Sequence, residues 1–532
     1  MKKVAHFIVG HKALIIILFI ILSISGIIAQ FFVPINYNLA DYIPDSAPST
    51  LAMEVMEEEF DQAVPNLRVY IPGVDLLEAK EFKEKLAAVP YVKQVLWLDD
   101  FYDLREPIEL ANQELLDAYY NDGALYMVVT GLEDTKLTLT TMQETIGEDG
   151  AIEGQVVDLA KAQSSVDSEM FTIMVFMIPL GMIILSIATT SWLEPVLLVL
   201  TIGAGVFLNM GTNFIFDEIS FITAAVSAVL QLAVSMDYAV FLLHRFGSYR
   251  QEGHEIEEAM EMAIVKSSTA ILASASTTVL GFLALVFMQF KLGPDLGLAL
   301  AKGVIFSFIS VLFLLPALVL SLDKWIEKTS HRHFLPSFKS VGILVKSMRY
   351  VVLVLIIVAP FFYVAQRNND FIYGNADYDK GSREQRDKET ILDKFGDELS
   401  LAIMVPRGQM GKEKSMEEEL KDIPGVLGLM SYNETVGGLM PSDLLDAEVI
   451  ESLLSENYSR IILTVRGPKE GDAPFELVEN IRETVYSYYP DGHILGESVV
   501  NYDMKTTIEK DNAIVNGLAI VSVGLVLLIS FR

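Results

Sequence analysis

The sequence predicts a multi-span α-helical membrane protein with two extracytoplasmic α+β domains of βαβ type, produced by an internal duplication whose second half is incomplete. Three observations predict it. Of the 532 residues, 52% are hydrophobic and 20% charged, a lower charge than the roughly 25% of ordinary soluble domains. The apolar residues gather into stretches close to the roughly 20 residues that cross a hydrocarbon core about 30 Å thick. The charge is acidic, 70 Asp and Glu against 39 Lys and Arg, and it collects in two long polar segments.

Eight stretches qualify or nearly qualify as spans. Uncharged runs cover Ala13 to Val33 (span 1), Met170 to Thr189 (span 2), Pro195 to Phe216 (span 3), Ser267 to Phe290 (span 5), Gly303 to Leu322 (span 6), Tyr350 to Gln366 (span 7) and Asn512 to Ser530 (span 8). Ile219 to Leu243 (span 4) contains one charge, Asp237. Basic residues near span ends set orientation. Lys2, Lys3 and Lys12 precede span 1; Arg245, Arg250 and Lys266 lie between spans 4 and 5; Lys324, Lys328, Arg332, Lys339, Lys346 and Arg349 separate spans 6 and 7. The opposite loops, Asp217 to Glu218 and Lys291 to Lys302, carry only two lysines, so the amino terminus is expected in the cytoplasm. Span 1 is too long for a signal-peptide core and no small-x-small cleavage site follows it before Pro34; it is expected to stay as an anchor.

The resulting plan is a cytoplasmic amino terminus with span 1 (1–33), a first outer domain (34–169), a bundle of spans 2 to 6 (170–323), a cytoplasmic linker (324–349), span 7 (350–366), a second outer domain (367–511) and span 8 (512–532). Residues 34–168 hold 27 acids and 8 bases, and 368–511 hold 30 acids and 15 bases, so the net negative charge belongs to the outer domains. That charge excludes a nucleic-acid partner, which needs a basic footprint. With no cysteine there is no disulfide, thiolate nucleophile or iron–sulfur cluster. No phosphate-binding loop, Ser/His/Asp arrangement or paired-carboxylate signature stands out, so the sequence reads as no enzyme, with no cofactor and no metal. His331 and His333 sit in a lysine-rich loop and read as part of a basic patch. Glu255 to Lys266, with Ile256, Met260, Ala263 and Ile264 on one side, reads as an amphipathic helix lying on the membrane.

The two outer segments repeat one another. Ala40-Asp41-Tyr42 recurs as Ala376-Asp377-Tyr378, Met56 to Phe60 parallels Ile391 to Phe395, Leu67 to Ile71 parallels Leu401 to Val405, Pro90-Tyr91-Val92 parallels Pro424-Gly425-Val426, and Ala124 to Thr130 parallels Ser459 to Val465. Each segment reads as strand, helix, strand, then strand, helix, strand, with parallel or mixed pairing expected. The second copy stops at span 8, where the first continues into spans 3 to 6, so the chain reads as a fragment of a longer duplicated protein.

Asp237 carries the chemistry. An acid at mid-helix costs on the order of 2.5 to 3.5 kcal/mol on insertion scales. Two readings stand: a carboxylate satisfied by interhelical hydrogen bonds or by the interface near His244 and Arg245, or a proton-accepting carboxyl in the bundle interior. Tyr238 lies 100° further round the helix and shares a face with Gln231 and Ser235, whereas Asp237 shares one with Leu230, Val234 and Phe241. In span 5, Ser274, Thr277, Thr278 and Gly281 fall on one face, either for close helix packing or to donate hydrogen bonds to Asp237.

At these residues the sequence resembles the MmpL branch of the resistance-nodulation-cell division (RND) superfamily of membrane transporters. The marks are Asp237-Tyr238 followed by Phe241-Leu242-Leu243-His244-Arg245-Phe246, then Thr277-Thr278-Val279-Leu280-Gly281-Phe282, and Leu315-Pro316-Ala317-Leu318 closing span 6. The resemblance implies proton-motive-force-driven export of amphiphilic, lipid or drug-like substrates from a bacterial cytoplasmic membrane, through porter-like outer domains. It assigns Asp237 and Tyr238 to a proton relay, with Ser235, Ser274, Thr277 and Thr278 as relay partners or packing residues. Two departures accompany it: Ser235 stands where the family often has Gly, and the partner Asp-Tyr pair expected in span 10 lies beyond span 8. The implied partners are the lipid bilayer, the substrate and protons; homo-oligomerisation is left open between trimer and monomer. Two other readings share the six-span arrangement: a sterol-sensing-domain-like lipid receptor and an accessory of protein translocation resembling SecD/SecF.

Overall fold

The computed structural model describes residues 1–60, 65–100, 102, 104–105, 113–331, 348–366, 378–436 and 452–530. The chain divides into two compact units. One comprises Met1–Tyr37, Val166–Asp370 and Ile508–Arg532, and the other Asn38–Ser165 and Phe371–Thr507.

The first unit is helical. Among the described residues, seven helices are long and apolar enough to cross a membrane: Lys12–Phe32, Gln155–Ala188, Glu194–Ile215, Phe221–Gln251, Ile256–Phe287, Leu292–Lys328 and Glu497–Ile529. These carry spans 1 to 6 and span 8. Span 7 is the helix Arg349–Gln366, which contains Pro360, and its apolar stretch Tyr350–Phe362 is shorter. The chain is a multi-pass membrane protein.

Two expectations about helix ends are corrected. Residues 255–266 do not form a separate surface helix; they are the first turns of the helix Ile256–Leu283. Their apolar side, with Met260, Ala263 and Ile264 fully buried, joins one core with Ala5 and Ile8 of the amino-terminal helix Lys2–Gly10. The loop expected at residues 291–302 is also helical, because span 6 begins at Leu292. Lys266 and Lys302 ended the apolar runs without ending the helices, since lysine is a good helix former. Further along, span 6 passes through a π-turn at Ser310–Leu314 just before Pro316. A proline nitrogen cannot donate into the ladder, and a widened turn accommodates it. His331 packs its ring 4.8 Å from that of Trp192, while His333 lies outside the described residues.

The second unit holds two four-stranded sheets. In the first, β1 (Leu67–Pro72), β2 (Val92–Leu96), β3 (Gly123–Thr130) and β4 (Ala151–Gly154) stand in the order β2-β3-β1-β4. In the second, β5 (Glu398–Pro406), β6 (Val426–Met430), β7 (Tyr458–Arg466) and β8 (His493–Leu495) stand in the order β6-β7-β5-β8. Every neighbouring pair is antiparallel. This corrects the parallel or mixed pairing expected: β1 and β2 do run parallel, but β3 inserts between them, giving a split βαβ. Each sheet has one register shift, between Val92 and Gln94 on β2 and between Val426 and Gly428 on β6.

One face of each sheet packs on its own helices. Leu67, Val69 and Ile71 meet Leu86 of the helix Leu76–Ala87 and Met142 of the helix Thr135–Ile146. Leu401, Ile403 and Val405 meet Met416 and Leu420 of Met410–Lys421 and Val478, Ile481 and Val485 of Asp472–Tyr488. The opposite faces are covered by an exchange. Ile391 and Phe395, from the helix Arg383–Phe395 that leads into the second sheet, pack on Tyr70, Leu125 and Ala151 of the first. Ala52, Met56 and Phe60, from the helix Pro48–Glu59 and its end before the first sheet, pack on Ala402, Met404 and Leu495 of the second. The repeated stretches Met56 to Phe60 and Ile391 to Phe395 are therefore the exchanged elements; Ala376 and Asp377 of the other repeat lie outside the described residues.

Candidate functional site

Span 4 positions the site. Its helix, Phe221–Gln251, begins where the Ser220 hydroxyl accepts a hydrogen bond from the Thr223 backbone N–H. Asp295 of span 6 reinforces that start, accepting from the Ser220 N–H at 2.8 Å and from the Thr223 hydroxyl at 2.7 Å.

Asp237 and Tyr238 point in different directions, as 100° of helical rotation requires. Tyr238 is 4% exposed and its hydroxyl donates to Thr278 Oγ1 of span 5 at 3.4 Å. Asp237 lies on the outer face of the helical unit, exposed beside Leu230 and Phe241, and has no hydrogen-bond or ion-pair partner among the described residues. The reading of a carboxyl inside this bundle is corrected: of the two residues, Tyr238 faces inward and Asp237 is exposed. Nor does the span 5 stripe serve Asp237. The hydroxyls of Thr277 and Thr278 both donate back to the Ser274 carbonyl, at 2.6 and 3.1 Å, and Thr278 is the one that also meets Tyr238. Ser235 is buried and donates to the carbonyl of Gln231; Ser274 is exposed.

The bundle interior contains a polar centre that the sequence reading passed over. Gln231, 2% exposed, donates from Nε2 to the Gly303 carbonyl at 2.9 Å and to Ser307 Oγ at 3.0 Å, and its Oε1 accepts from Asn209 Nδ2 at 3.0 Å. One amide thereby ties spans 3, 4 and 6 together. Glycine makes this approach possible: a β-carbon on Gly303 would lie 2.7 Å from Asn209 Nδ2 and 3.0 Å from Gln231 Oε1. Directly before Gly303 in the chain, Lys302 donates to Asn213 Oδ1 at 2.6 Å and lies over the Phe216 ring. The signal available in the sequence was a helical period of polar residues through an apolar span, Ser220, Thr223, Ser227, Gln231, Ser235 and Tyr238, which a search for charges does not register. Among the described residues no group of acids and histidines has the arrangement of a metal site.

The helices and their interior polar contacts define a multi-pass membrane protein with a polar core, carried by spans 2 to 6. Residues 141–347, which include that region, match the MMPL family. A membrane protein of Methanocaldococcus jannaschii is 34% identical over 174 residues, 32% of this chain and 42% of that protein. The membrane protein ActII-3 of Streptomyces coelicolor is 26% identical over 302 residues, 54% of this chain and 42% of its own length. The sulfolipid-1 exporter MmpL8 of Mycobacterium tuberculosis is 33% identical over 90 residues, 17% of this chain and 8% of the exporter. The chain thus spans less than half the length of these curated relatives. Among solved structures, the hedgehog release protein Disp from the water bear Hypsibius dujardini superposes with a TM-score of 0.59 at 9% identity, covering 99% of this chain and 83% of Disp, a likeness of fold.

Proposed function

We propose that this chain serves proton-motive-force-driven export of amphiphilic, lipid or drug-like molecules across a bacterial cytoplasmic membrane, as a transporter of the RND type. The observation that carries the reading is the pair Asp237 and Tyr238, a carboxyl on the apolar outer face of span 4 next to a tyrosine buried in its core. An acid kept in an intramembrane position at a cost of on the order of 2.5 to 3.5 kcal/mol is a functional residue by default. In this reading Asp237 takes up and releases the proton, Tyr238 and Thr278 couple its state to the packing of spans 4 and 5, and the change biases the outer unit between conformations. The family match over spans 2 to 6 and a relative named as a lipid exporter support it. The amino terminus is cytoplasmic and both sheets are extracytoplasmic, in keeping with the distribution of basic residues. The two halves of the outer unit descend from one duplicated module, which the shared strand order and the matching register shifts support.

The test is gradient-driven efflux of a fluorescent amphiphile from cells expressing the chain. Asp237→Asn abolishes it while membrane insertion is retained; efflux at the original rate refutes the reading. A second reading, a lipid receptor without transport, is favoured by the exposure of Asp237 outside the bundle. It expects Asp237→Asn to spare function and a lipid to bind beside spans 2 to 4.

A further inference from the structure

The second unit holds two buried acids that no basic residue answers. Glu413 and Glu417 stand one turn apart on the helix Met410–Lys421 and so share a face. They are 4% and 2% exposed. Like charges at this spacing repel, and a carboxylate taken out of water needs a positive partner to stay ionised. Two lysines of the same helix are engaged elsewhere: Lys421 pairs with Glu434 at 2.7 Å, and Lys412 lies over the Tyr489 ring at 4.3 Å. Among the described residues neither acid makes an ion pair. Burial raises Glu413 from its ordinary carboxyl value, and the charge of Glu417 raises it further.

Polar groups from three other elements converge on the pair. Asn433, in the short helix Tyr432–Val436, directs its amide at both acids, 3.3 Å from Glu413 Oε2 and 3.4 Å from Glu417 Oε1. Ser459 Oγ of β7 lies 3.4 Å from Glu413 Oε1. Tyr489, directly after the helix Asp472–Tyr488, is 4% exposed, and its hydroxyl has no partner among the described residues. Burial, and then the charges of Glu413 and Glu417, push that phenol up to about 12, so the hydroxyl lies in the field of both carboxylates.

Hydrogen bonding accounts poorly for these spacings. Bonds from an amide or hydroxyl to a carboxylate run to about 2.5 to 2.9 Å, and all three contacts are longer. A shell of oxygens around a cation fits them better. Neighbouring oxygens held about 2.4 Å from a central Ca2+ stand about 3.4 Å apart, whereas the shell of Mg2+, about 2.05 Å in radius, brings them to about 2.9 Å. The oxygen and nitrogen of an amide have nearly the same outline, and turning the Asn433 amide puts Oδ1 where Nδ2 stands. Two oxygens of Glu413, with one each from Glu417, Asn433, Ser459 and Tyr489, make six, within the six to eight that Ca2+ takes. Oxygen donors without nitrogen or sulfur suit that ion and not zinc. Two acids fall short of the three acids or histidines that would mark a metal site by themselves; the amide, hydroxyl and phenol complete the set.

We propose that Glu413, Glu417, Asn433, Ser459 and Tyr489 form a Ca2+ site in the second unit. The ion neutralises the acid pair and joins Met410–Lys421, Tyr432–Val436, β7 and the end of Asp472–Tyr488. Its task is structural and separate from the proton and substrate steps of the transport reading.

Calorimetric titration with CaCl2 at neutral pH tests this on the full 532-residue chain in detergent micelles, after stripping with a chelator. One saturable site is expected. Ligand charge sets Ca2+ affinity, so Glu413→Gln and Glu417→Gln should each weaken that site at least about tenfold. Glu418→Gln, at an exposed acid of the same helix, should leave it intact. Asn433→Asp should bind at least as tightly, because a carboxylate replaces the amide oxygen. If Asn433→Asp instead lowers the melting temperature with and without Ca2+, the amide is a donor to the acids and the proposal fails. The wild-type chain guards against a misfolded variant: about 1 mM CaCl2 should raise its melting temperature where MgCl2 at the same concentration does not. A wild-type chain without a saturable Ca2+ site, or a site that Glu417→Gln leaves unchanged, overturns the proposal. Stability that rises on acidification and ignores Ca2+ overturns it in favour of a proton shared by the two acids.

Discussion

Asp237 and Tyr238 share a peptide bond and little else: the carboxyl faces outward among apolar side chains, and the phenol is held in the core by Thr278. Tyr238→Phe removes one neutral hydrogen bond and keeps the ring, so it should lower thermal stability only slightly while uncoupling efflux from the gradient, as read by amphiphile export. Gln231→Leu is a different case. It strands the Asn209 amide and the Gly303 carbonyl in the interior, and with hydrogen bonds in membrane bundles worth about 0.6 to 1.7 kcal/mol, a loss of about 1 to 2 kcal/mol is expected in unfolding from mixed micelles. Gly303→Ala should cost a comparable amount, since its methyl must displace the Asn209 amide or the Gln231 side chain. Helical rotation alone separated the directions of Asp237 and Tyr238, and that much was legible in the sequence. Which of the two entered the core was not, because the decision belongs to neighbouring spans. The polar face behind Tyr238 was visible as a period, but serine and threonine are nearly neutral in hydropathy and raise no alarm in an apolar run.

Among the elements of the second unit, the exchanged helices rest on a few buried groups. Asp503 accepts two hydrogen bonds from Arg482, at 2.7 and 2.9 Å, and a third from the Ser49 N–H in the first turn of the helix Pro48–Glu59, at 2.8 Å. It is 3% exposed. Removing one partner of a buried ion pair costs about 3 to 5 kcal/mol, so Asp503→Ala should destabilise the unit by that order and accelerate amide exchange in Pro48–Glu59 ahead of the first sheet. At the other end of that helix, Glu59 accepts from the Asn457 side chain at 2.7 Å and from the Ser455 hydroxyl at 2.7 Å. The hydrogen bond from Asn457, and then that from Ser455, hold its carboxyl below its ordinary value. A lowered acid stabilises the fold at pH above its unfolded value, and the contribution is lost as pH falls through the lowered one. The carboxyl end of Pro48–Glu59 should therefore loosen on acidification below the ordinary carboxylate range, and Glu59→Gln should remove that pH dependence, both read by amide exchange. The sequence marked Met56 to Phe60 and Ile391 to Phe395 as equivalent stretches. It did not say that each crosses to the other's sheet, because a repeat records that two segments correspond and not what each packs against.

For the molecule as a whole, the exchange makes the two halves of the second unit depend on each other. Residues 38–165 expressed alone would leave Tyr70, Leu125 and Ala151 without Ile391 and Phe395, and an uncovered apolar sheet face invites association. Such a fragment should aggregate or bind hydrophobic dyes, and adding residues 378–507 should restore a soluble complex. A monomeric, cooperatively folded 38–165 fragment would contradict the exchange. The membrane plan was the most legible level of all, since length and apolarity fix spans directly. Its errors fell at Lys266 and Lys302, where a charge ended the apolar run and the helix continued. The central claim is that the Asp237 carboxyl couples a proton to export, and its most direct test is proton counterflow. With the chain in proteoliposomes carrying a lumenal pH dye, addition of an amphiphilic substrate should drive proton movement that Asp237→Asn abolishes and Asp237→Glu partly keeps. Counterflow of equal size in the Asp237→Asn chain would contradict the account.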